Sequence, residues 1–267
     1  MNPEPLVTIN ILSFNRRDIL KYTLSKVFEL EYKNFEVIVV DNASSDGTSH
    51  MVINEYPNVK LIQLPKNIGI SGYNVGFKKA QGEFILLLDD DSYPKTDILN
   101  EALQLFENDN TLGIVAFNIM NEEESRSETY YFKEYPISFM GGGSLVSRKL
   151  ILQIGGYDEN FFLYHNELDY AARCWDAGYK IYYLKTAIVI HLQSKIARDD
   201  TKENILHGRK RYYYFFLSYS KFVVLRLDGS LRLKTIIKWW INRSVIMIRF
   251  GYVREYFSAL FQFFKDF

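Results

Sequence analysis

The chain has 267 residues and 48% apolar side chains, enough for a packed core and too mixed for a disordered chain or a bare membrane bundle. Its single cysteine, Cys174, excludes an internal disulfide and suits a reducing compartment. The net charge of zero conceals an asymmetry: residues 1–194 carry 17 Lys/Arg against 26 Asp/Glu, a balance of −9, and residues 195–267 carry 15 against 6, a balance of +9.

That split predicts two regions, 1–199 and 200–267, the second attractive to anionic surfaces. Met1–Pro5 carries no basic stretch leading into an apolar one, so no secretory leader is expected. Leu6–Ser13 reads as a buried strand, and Asp18–Leu30 sets Leu20, Leu24, Val27 and Phe28 at helical spacing. Phe35–Val40 is a second strand, ending in the polar turn Asp41–Thr48, which suits a helix cap. Val59–Leu64 is a third strand, Gly69–Ala80 opens a helix, and Glu83–Leu88 is a fourth strand running into Asp89, Asp90 and Asp91. Alternation of this kind predicts an α/β fold, a mostly parallel sheet flanked by helices on both faces. Ligands of such sheets bind beyond the carboxyl ends of the strands. Here those ends are polar throughout: Asn15, Asp41-Asn42, Lys66-Asn67 and Asp89–Asp91. Asn121–Glu128 is charged and reads as a solvated loop.

Three adjacent carboxylates repel one another unless positive charge sits among them, and hard divalent cations want oxygen ligands of this kind. Because alternate residues of an extended segment point the same way, Asp89 and Asp91 are expected to act together while Asp90 faces elsewhere. The plainer alternative is a solvated acidic turn.

With these motifs in order, the sequence resembles glycosyltransferase family 2, the inverting family with the GT-A fold, over roughly residues 6–195. The resemblance rests on Ile11–Arg16, Val40–Thr48, Asn67-Ile68-Gly69, Asn74-Val75-Gly76, Ala80-Gln81-Gly82, Leu88–Ser92, Gly155–Phe162, Asn166–Arg173 and Ala177-Gly178-Tyr179. It implies a nucleotide-sugar site at Ser13, Asn15, Asp41, Asn42, Asp46, Asn67, Gly69, Asn74, Asp89 and Asp90, with Gly142 and Gly143 near the donor sugar. It also implies a divalent metal, Mn²⁺ or Mg²⁺, bridging the diphosphate and held by Asp89, Asp91 and His191. A metal neutralises charge developing on a diphosphate leaving group. On its own, a lone His at the end of the strand-like Ala187–Ile190 is more often packed or at the surface; the ligand role comes from the family.

An acceptor hydroxyl must shed a proton as it attacks, and a carboxylate base takes it. Where the family usually has Glu-Asp-x-Asp, this chain has Asn166-Glu167-Leu168-Asp169, which puts Glu167 at the base position and Asp169 behind it. Glu167 read simply is a charge complementing a helix N-terminus. Gly141–Gly143 reads equally as a tight turn or as a close approach to ligand. Phe162 and Tyr164 are candidates for an acceptor platform, whereas Phe161 and Trp175 read as core.

Residues 200–267 mix Lys/Arg with aromatics and contain no run of ~18–20 uninterrupted apolar residues of the length a spanning helix needs. A basic aromatic helical extension of this kind reads either as a peripheral membrane contact, with Trp239 and Trp240 in the interface, or as a packed subdomain that joins subunits into a homo-oligomer. No motif supports nucleic acid binding. The leading expectation is an inverting transferase that moves a sugar from a nucleoside-diphosphate sugar to a glycan or lipid-linked hydroxyl in surface polysaccharide or glycolipid synthesis. The motifs lean towards rhamnosyl- or galactofuranosyl-type relatives, cytoplasmic and peripheral on that face of the membrane. The alternatives are a sugar-nucleotide nucleotidyltransferase, whose Gly-rich loop is missing from Ser13–Arg17, and a non-catalytic nucleotide-sugar-binding protein.

Overall fold

A computed structural model describes residues 4–95, 97–123, 125–129, 133–192 and 202–267, with side chains in the last segment from residue 208 onward. The chain forms two compact units, Met1–Tyr157 with Tyr170–Gln193, and Asp158–Asp169 with Ser194–Phe267. The boundary expected at 199–200 lies outside the described residues, and Asp158–Asp169 groups with the C-terminal helices.

In the first unit, β1 (Val7–Ser13), β2 (Phe35–Asp41), β3 (Lys60–Gln63) and β4 (Phe84–Asp89) pair in parallel in the order β3-β2-β1-β4. Val37–Val40 of β2 and Phe84–Leu88 of β4 have the continuity of strands covered on both faces, whereas β3 is a partly exposed edge strand. Leu86 and Leu88 of β4 join one core, with Leu20 and Leu24 of α1 (Arg17–Val27), Met51 of α2 (Thr48–Glu55) and Leu99 of α4 (Ile98–Asn108). Ile85 and Leu87 join the other, with Tyr73 and Phe77 of α3 (Gly72–Lys79) and Leu150 of α5 (Arg148–Ile154). Each fully buried leucine of these stripes contributes about 1.5–3 kcal/mol.

The far half of the sheet departs from the parallel pattern. β7 (Gly143–Ser147) lies antiparallel to both β4 and β6 (Leu112–Asn121). β8 (Lys180–His191) is parallel to β6, and β5 (Ser92–Pro94) is antiparallel to β8 at the edge. The sheet therefore has eight strands in the order β3-β2-β1-β4-β7-β6-β8-β5. α6 (Asn166–Asp176) buries Tyr170, Ala171 and Cys174 in the second core.

In the second unit, α7 (Lys202–Arg226), α8 (Gly229–Phe250) and α9 (Val253–Asp266) pack around Phe216, Met247, Tyr256 and Phe263. Trp239 and Trp240, expected at a membrane surface, turn inward: their indole N–H groups donate to the Phe216 carbonyl and to Ser220 Oγ. Lys221 is buried as well, where its ammonium pairs with Asp266 at 2.6 Å.

Candidate active site

The carboxyl ends of β2, β1 and β4 lie side by side, and polar side chains link them. At the end of β2, Asp41 is buried and accepts from the Ser44 N–H and the Ser49 hydroxyl. Asn42 donates to the Gly69 carbonyl and accepts from the Ile68 N–H, tying this strand end to the loop where Asn67 Oδ1 accepts from the Gly69 N–H. Asp46 accepts from the backbone N–H groups of Arg17 and Thr48, which fixes the turn leading into α2. Beside these residues is a polar cleft of ≈ 400 Å³, lined among others by Asp41, Ser44, Ser45, Gln63 and Leu64. That volume falls within the range of small-molecule sites.

The end of β1 connects this cleft to the aspartates. Asn15 Oδ1 accepts from the Ser45 N–H at 2.7 Å, and Ser13 Oγ donates to Asp90 at 3.0 Å. The strand stops at Asp89, so Asp90 and Asp91 sit in a turn and the expected alternation does not extend through them. Arg16, given no role by the sequence reading, spans Asp90 and Asp91 at 3.0 and 2.5 Å. Asp89 accepts from the Tyr73 hydroxyl at 2.8 Å. Gly142 sits against it, since a Cβ there would fall 2.3 Å from Asp89 Oδ2. Gly143 faces Ile119 and Val189, a packing position. Asn74 spends both ends of its amide on the Tyr157 backbone.

His191 ends β8 with Nε2 3.5 Å from Asp91 Oδ1 and Nδ1 2.8 Å from Glu128 Oε2. Glu128 is therefore part of the cluster, a departure from the solvated-loop reading of Asn121–Glu128. The electrostatics follow from crowding of charge in a buried place. Burial raises Asp90 to about 7 against the pull of Arg16. Burial and repulsion from Asp91 raise Asp89. Burial pushes Asp91 upward too, but His191 and Arg16 outweigh it and hold the carboxyl below its usual range. Burial disfavours the His191 imidazolium, and Asp91 and Glu128 outweigh that, raising the ring to about 9. The positive charge that three aspartates require thus comes from Arg16 and His191.

Among the described residues, no group of three His, Cys, Asp or Glu side chains is gathered to hold a metal. The Asp91–His191 pair nevertheless has the right donor chemistry. A carboxylate faces an imidazole whose far nitrogen is fixed by a second carboxylate, the arrangement in which metal-binding histidines are held.

In the second unit, Glu167 and Asp169 lie in the first turn of α6, and Asp169 is fully buried against Arg226. Tyr164 and His165, just before, hold left-handed φ values of 66° and 60°, a strained conformation for large side chains. Asn166, standing where the family motif has an acid, is buried with neither end of its amide partnered. Phe162 stacks on Tyr214 at 4.6 Å and Tyr164 packs on Phe215, so both candidate platform rings meet aromatics of α7. Phe161 is core, as expected, whereas Trp175 is 36% exposed.

Residues 8–175 match the profile of Glycosyl transferase family 2. TuaG of Bacillus subtilis, a glycosyltransferase whose name places it in teichuronic acid biosynthesis, is 27% identical over 128 residues, 46% of this chain and 50% of that protein. A poly-beta-1,6-N-acetyl-D-glucosamine synthase of Staphylococcus aureus is 30% identical over 115 residues, 42% of this chain and 28% of that protein. The chain thus matches half the length or less of these curated relatives. A mannosyltransferase from Pyrobaculum calidifontis, solved with GDP-Man and Mn²⁺, superposes with a TM-score of 0.66 at 18% identity, covering 97% of this chain and 75% of that one. Residues 1–349 of S. aureus TarS, solved with UDP-GlcNAc, give 0.67 at 16% identity, covering 96% and 80%. Likeness at such identities is likeness of fold.

Proposed function

The chain belongs to glycosyl transferase family 2, and from that membership we propose that it is an inverting, metal-dependent glycosyltransferase with a nucleoside-diphosphate sugar as donor. Its fold is of the GT-A type: an α/β sheet flanked by helices, with a helical C-terminal extension. The observation that carries the reading is the polar chain running from the cleft at Asp41 and Ser44, through Asn15 and Ser13, to Asp90 and Asp91. The cleft takes the nucleoside, and the aspartate cluster takes the diphosphate end.

Asp91 and His191, with Asp89 beside them, would hold a divalent metal, Mn²⁺ or Mg²⁺, and such an ion would supply charge neutralisation for the departing diphosphate. To act as a ligand His191 must shed its Nε2 proton; Glu128 on Nδ1 fixes the ring for that role. Glu167 takes the proton of the acceptor hydroxyl as its oxygen bonds to the anomeric carbon and the carbon–diphosphate bond breaks. Attack from the face opposite the leaving group inverts the centre. The acceptor is a glycan or lipid-linked hydroxyl of a surface polysaccharide, the class to which the names of TuaG and the poly-N-acetylglucosamine synthase point. The C-terminal unit is the contact with a partner, at the cytoplasmic face of a membrane.

The deciding experiment supplies nucleotide sugars with Mn²⁺ and follows nucleoside diphosphate. Release that requires both metal and acceptor is the expected result. A donor that binds in thermal shift but is never turned over with any acceptor marks a non-catalytic binding protein, and consumption of a nucleoside triphosphate with a sugar phosphate marks a nucleotidyltransferase.

A further inference from the structure

We propose that the outer face of the α8–α9 hairpin is a docking surface for an anionic lipid bilayer, on which the chain lies without crossing; the purpose of such docking, though not its geometry, rests on the transferase reading above. On α8, Ile237, Ile241, Val245 and Ile248 recur at spacings of four, four and three residues, and each is between 46% and 73% exposed. On α9, Val253, Phe257, Phe261 and Phe264 repeat that spacing at 48% to 71% exposure. The opposite sides of the same helices bury Ile236 and Met247, and Tyr256, Ala259 and Phe263. Each helix therefore has two apolar stripes, one used in the three-helix packing and one bare. Phe264 of the exposed α9 stripe packs edge-on against Trp240 of α8 at 5.6 Å, which ties that stripe to the neighbouring helix. Exposed apolar stripes of this length mark an interaction surface.

Charge selects the occupant. Lys234, Lys238 and Arg249 on α8, and Arg254 and Lys265 on α9, are exposed, and each stands three or four residues from a member of a bare stripe. On helices that spacing makes neighbours. The two acids of the hairpin, Glu255 and Asp266, are already paired with Arg209 and Lys221 of α7. An apolar stripe with a cationic border is what an interfacial helix presents, the rings entering the acyl boundary while the basic groups reach back to phosphate headgroups. A symmetric contact with a second copy would instead bring the cations of both copies into one interface with no free acid of the hairpin to meet them. Among the described residues no helix is long and apolar enough to cross a membrane, so the hairpin lies on the surface. Isoleucine and phenylalanine carry the insertion, since both tryptophans face inward.

The test is co-sedimentation of the full chain with sucrose-loaded vesicles of phosphatidylcholine alone or mixed with phosphatidylglycerol. The expected result is binding to the anionic vesicles that weakens as salt is raised. Phe261→Ser with Phe264→Ser should weaken binding by about ten-fold or more, because the inserted rings are gone. Lys234→Gln with Lys238→Gln should weaken it several-fold while steepening nothing else. All these residues lie outside the nucleotide site, so Mn²⁺-dependent nucleotide binding and transfer to a water-soluble acceptor serve as the folding control. The proposal is overturned if the wild type stays soluble beside anionic vesicles at low salt, or if both variants sediment as the wild type does. It is equally overturned if the chain is a dimer in solution that Phe261→Asp dissociates, because a second copy then covers the face. Vesicle binding with no transfer under any condition would sink the transferase reading and leave this one standing.

Discussion

Arg226, in the last turn of α7, donates through Nε to Asp169 Oδ1 at 2.5 Å and through Nη2 to Asp158 at 2.9 Å. Asp169 is fully buried and lies two residues beyond Glu167, so two acids of one helical turn have different surroundings. Asp169→Asn should therefore lower stability by ~3 kcal/mol, the cost of removing one partner from a buried pair. Glu167→Gln should leave the protein folded and lower turnover by ~10²–10⁴. Urea denaturation beside turnover separates the two. A folded Asp169→Asn protein without activity, next to an active Glu167→Gln, would move the base to Asp169.

The aspartate cluster makes a graded prediction. Asp91→Ala removes the carboxylate that meets both Arg16 and His191, and should abolish transfer and metal-dependent donor binding. His191→Ala should weaken Mn²⁺ less, since the aspartates remain. Glu128→Gln should weaken it by ~10–100-fold by releasing the far side of the imidazole. Mn²⁺ titration of nucleotide binding reads all three. Full turnover in excess chelator would remove the metal from the mechanism.

Two adjacent glycines should behave differently. At Gly142 a methyl group would stand 2.3 Å from Asp89 Oδ2, so Gly142→Ala must displace that carboxylate. At Gly143 it would stand 2.9 Å from Ile119 Cγ1, in the core. Gly143→Ala should cost ~1–3 kcal/mol by overpacking and leave donor affinity near wild type. Gly142→Ala should lose donor affinity out of proportion to its stability. Equal effects of the two on affinity would detach Gly142 from the site.

The parallel half of the sheet was legible because β1, β2 and β4 are β-rich segments, each followed at once by polar residues (Asn15, Asp41 and Asp89), a pattern that points both to the element type and to the place where ligands gather. The antiparallel half was not. Ser144–Val146 carries no mark of direction, and strand polarity is set by connections rather than by local pattern. The strand ends at Asp89 and the chain turns, so the extended pattern expected to pair Asp89 with Asp91 does not run through Asp90 and Asp91. Arg16 stood inside a recognised motif, yet only the fold shows that it reaches across 74 and 75 residues to two aspartates. Glu128 looked like any other charge in an acidic loop, and nothing local announces a partner 63 residues away. Arg226 was hidden in the same way, one of the 15 Lys/Arg of residues 195–267 with nothing local to single it out as the partner of Asp169.

His165 supplies a pH prediction in the second unit. Its ring packs between Phe215 at 4.6 Å and Tyr219 at 5.1 Å, with Trp239 beyond, and its Nε2 is buried without a partner. Burial lowers its pKa to about 4, helped by the Arg243 charge, while a hydrogen bond with the Phe215 backbone works the other way. The folded value lies below the ordinary 6.5, so between the two the unfolded chain binds more protons and stability rises with pH. The contribution of the neutral ring is complete above about pH 6.5 and is lost as pH falls towards about 4, by at most ~3 kcal/mol. His165→Asn keeps a residue that tolerates the left-handed backbone and removes the titration. Urea midpoints of wild type and variant, measured near pH ~7 and near pH ~4.5, should converge at the acid end. Carboxylates titrate in both proteins alike, so the difference isolates the imidazole. If the variant loses as much stability as the wild type across this window, the buried ring is not the group being protonated.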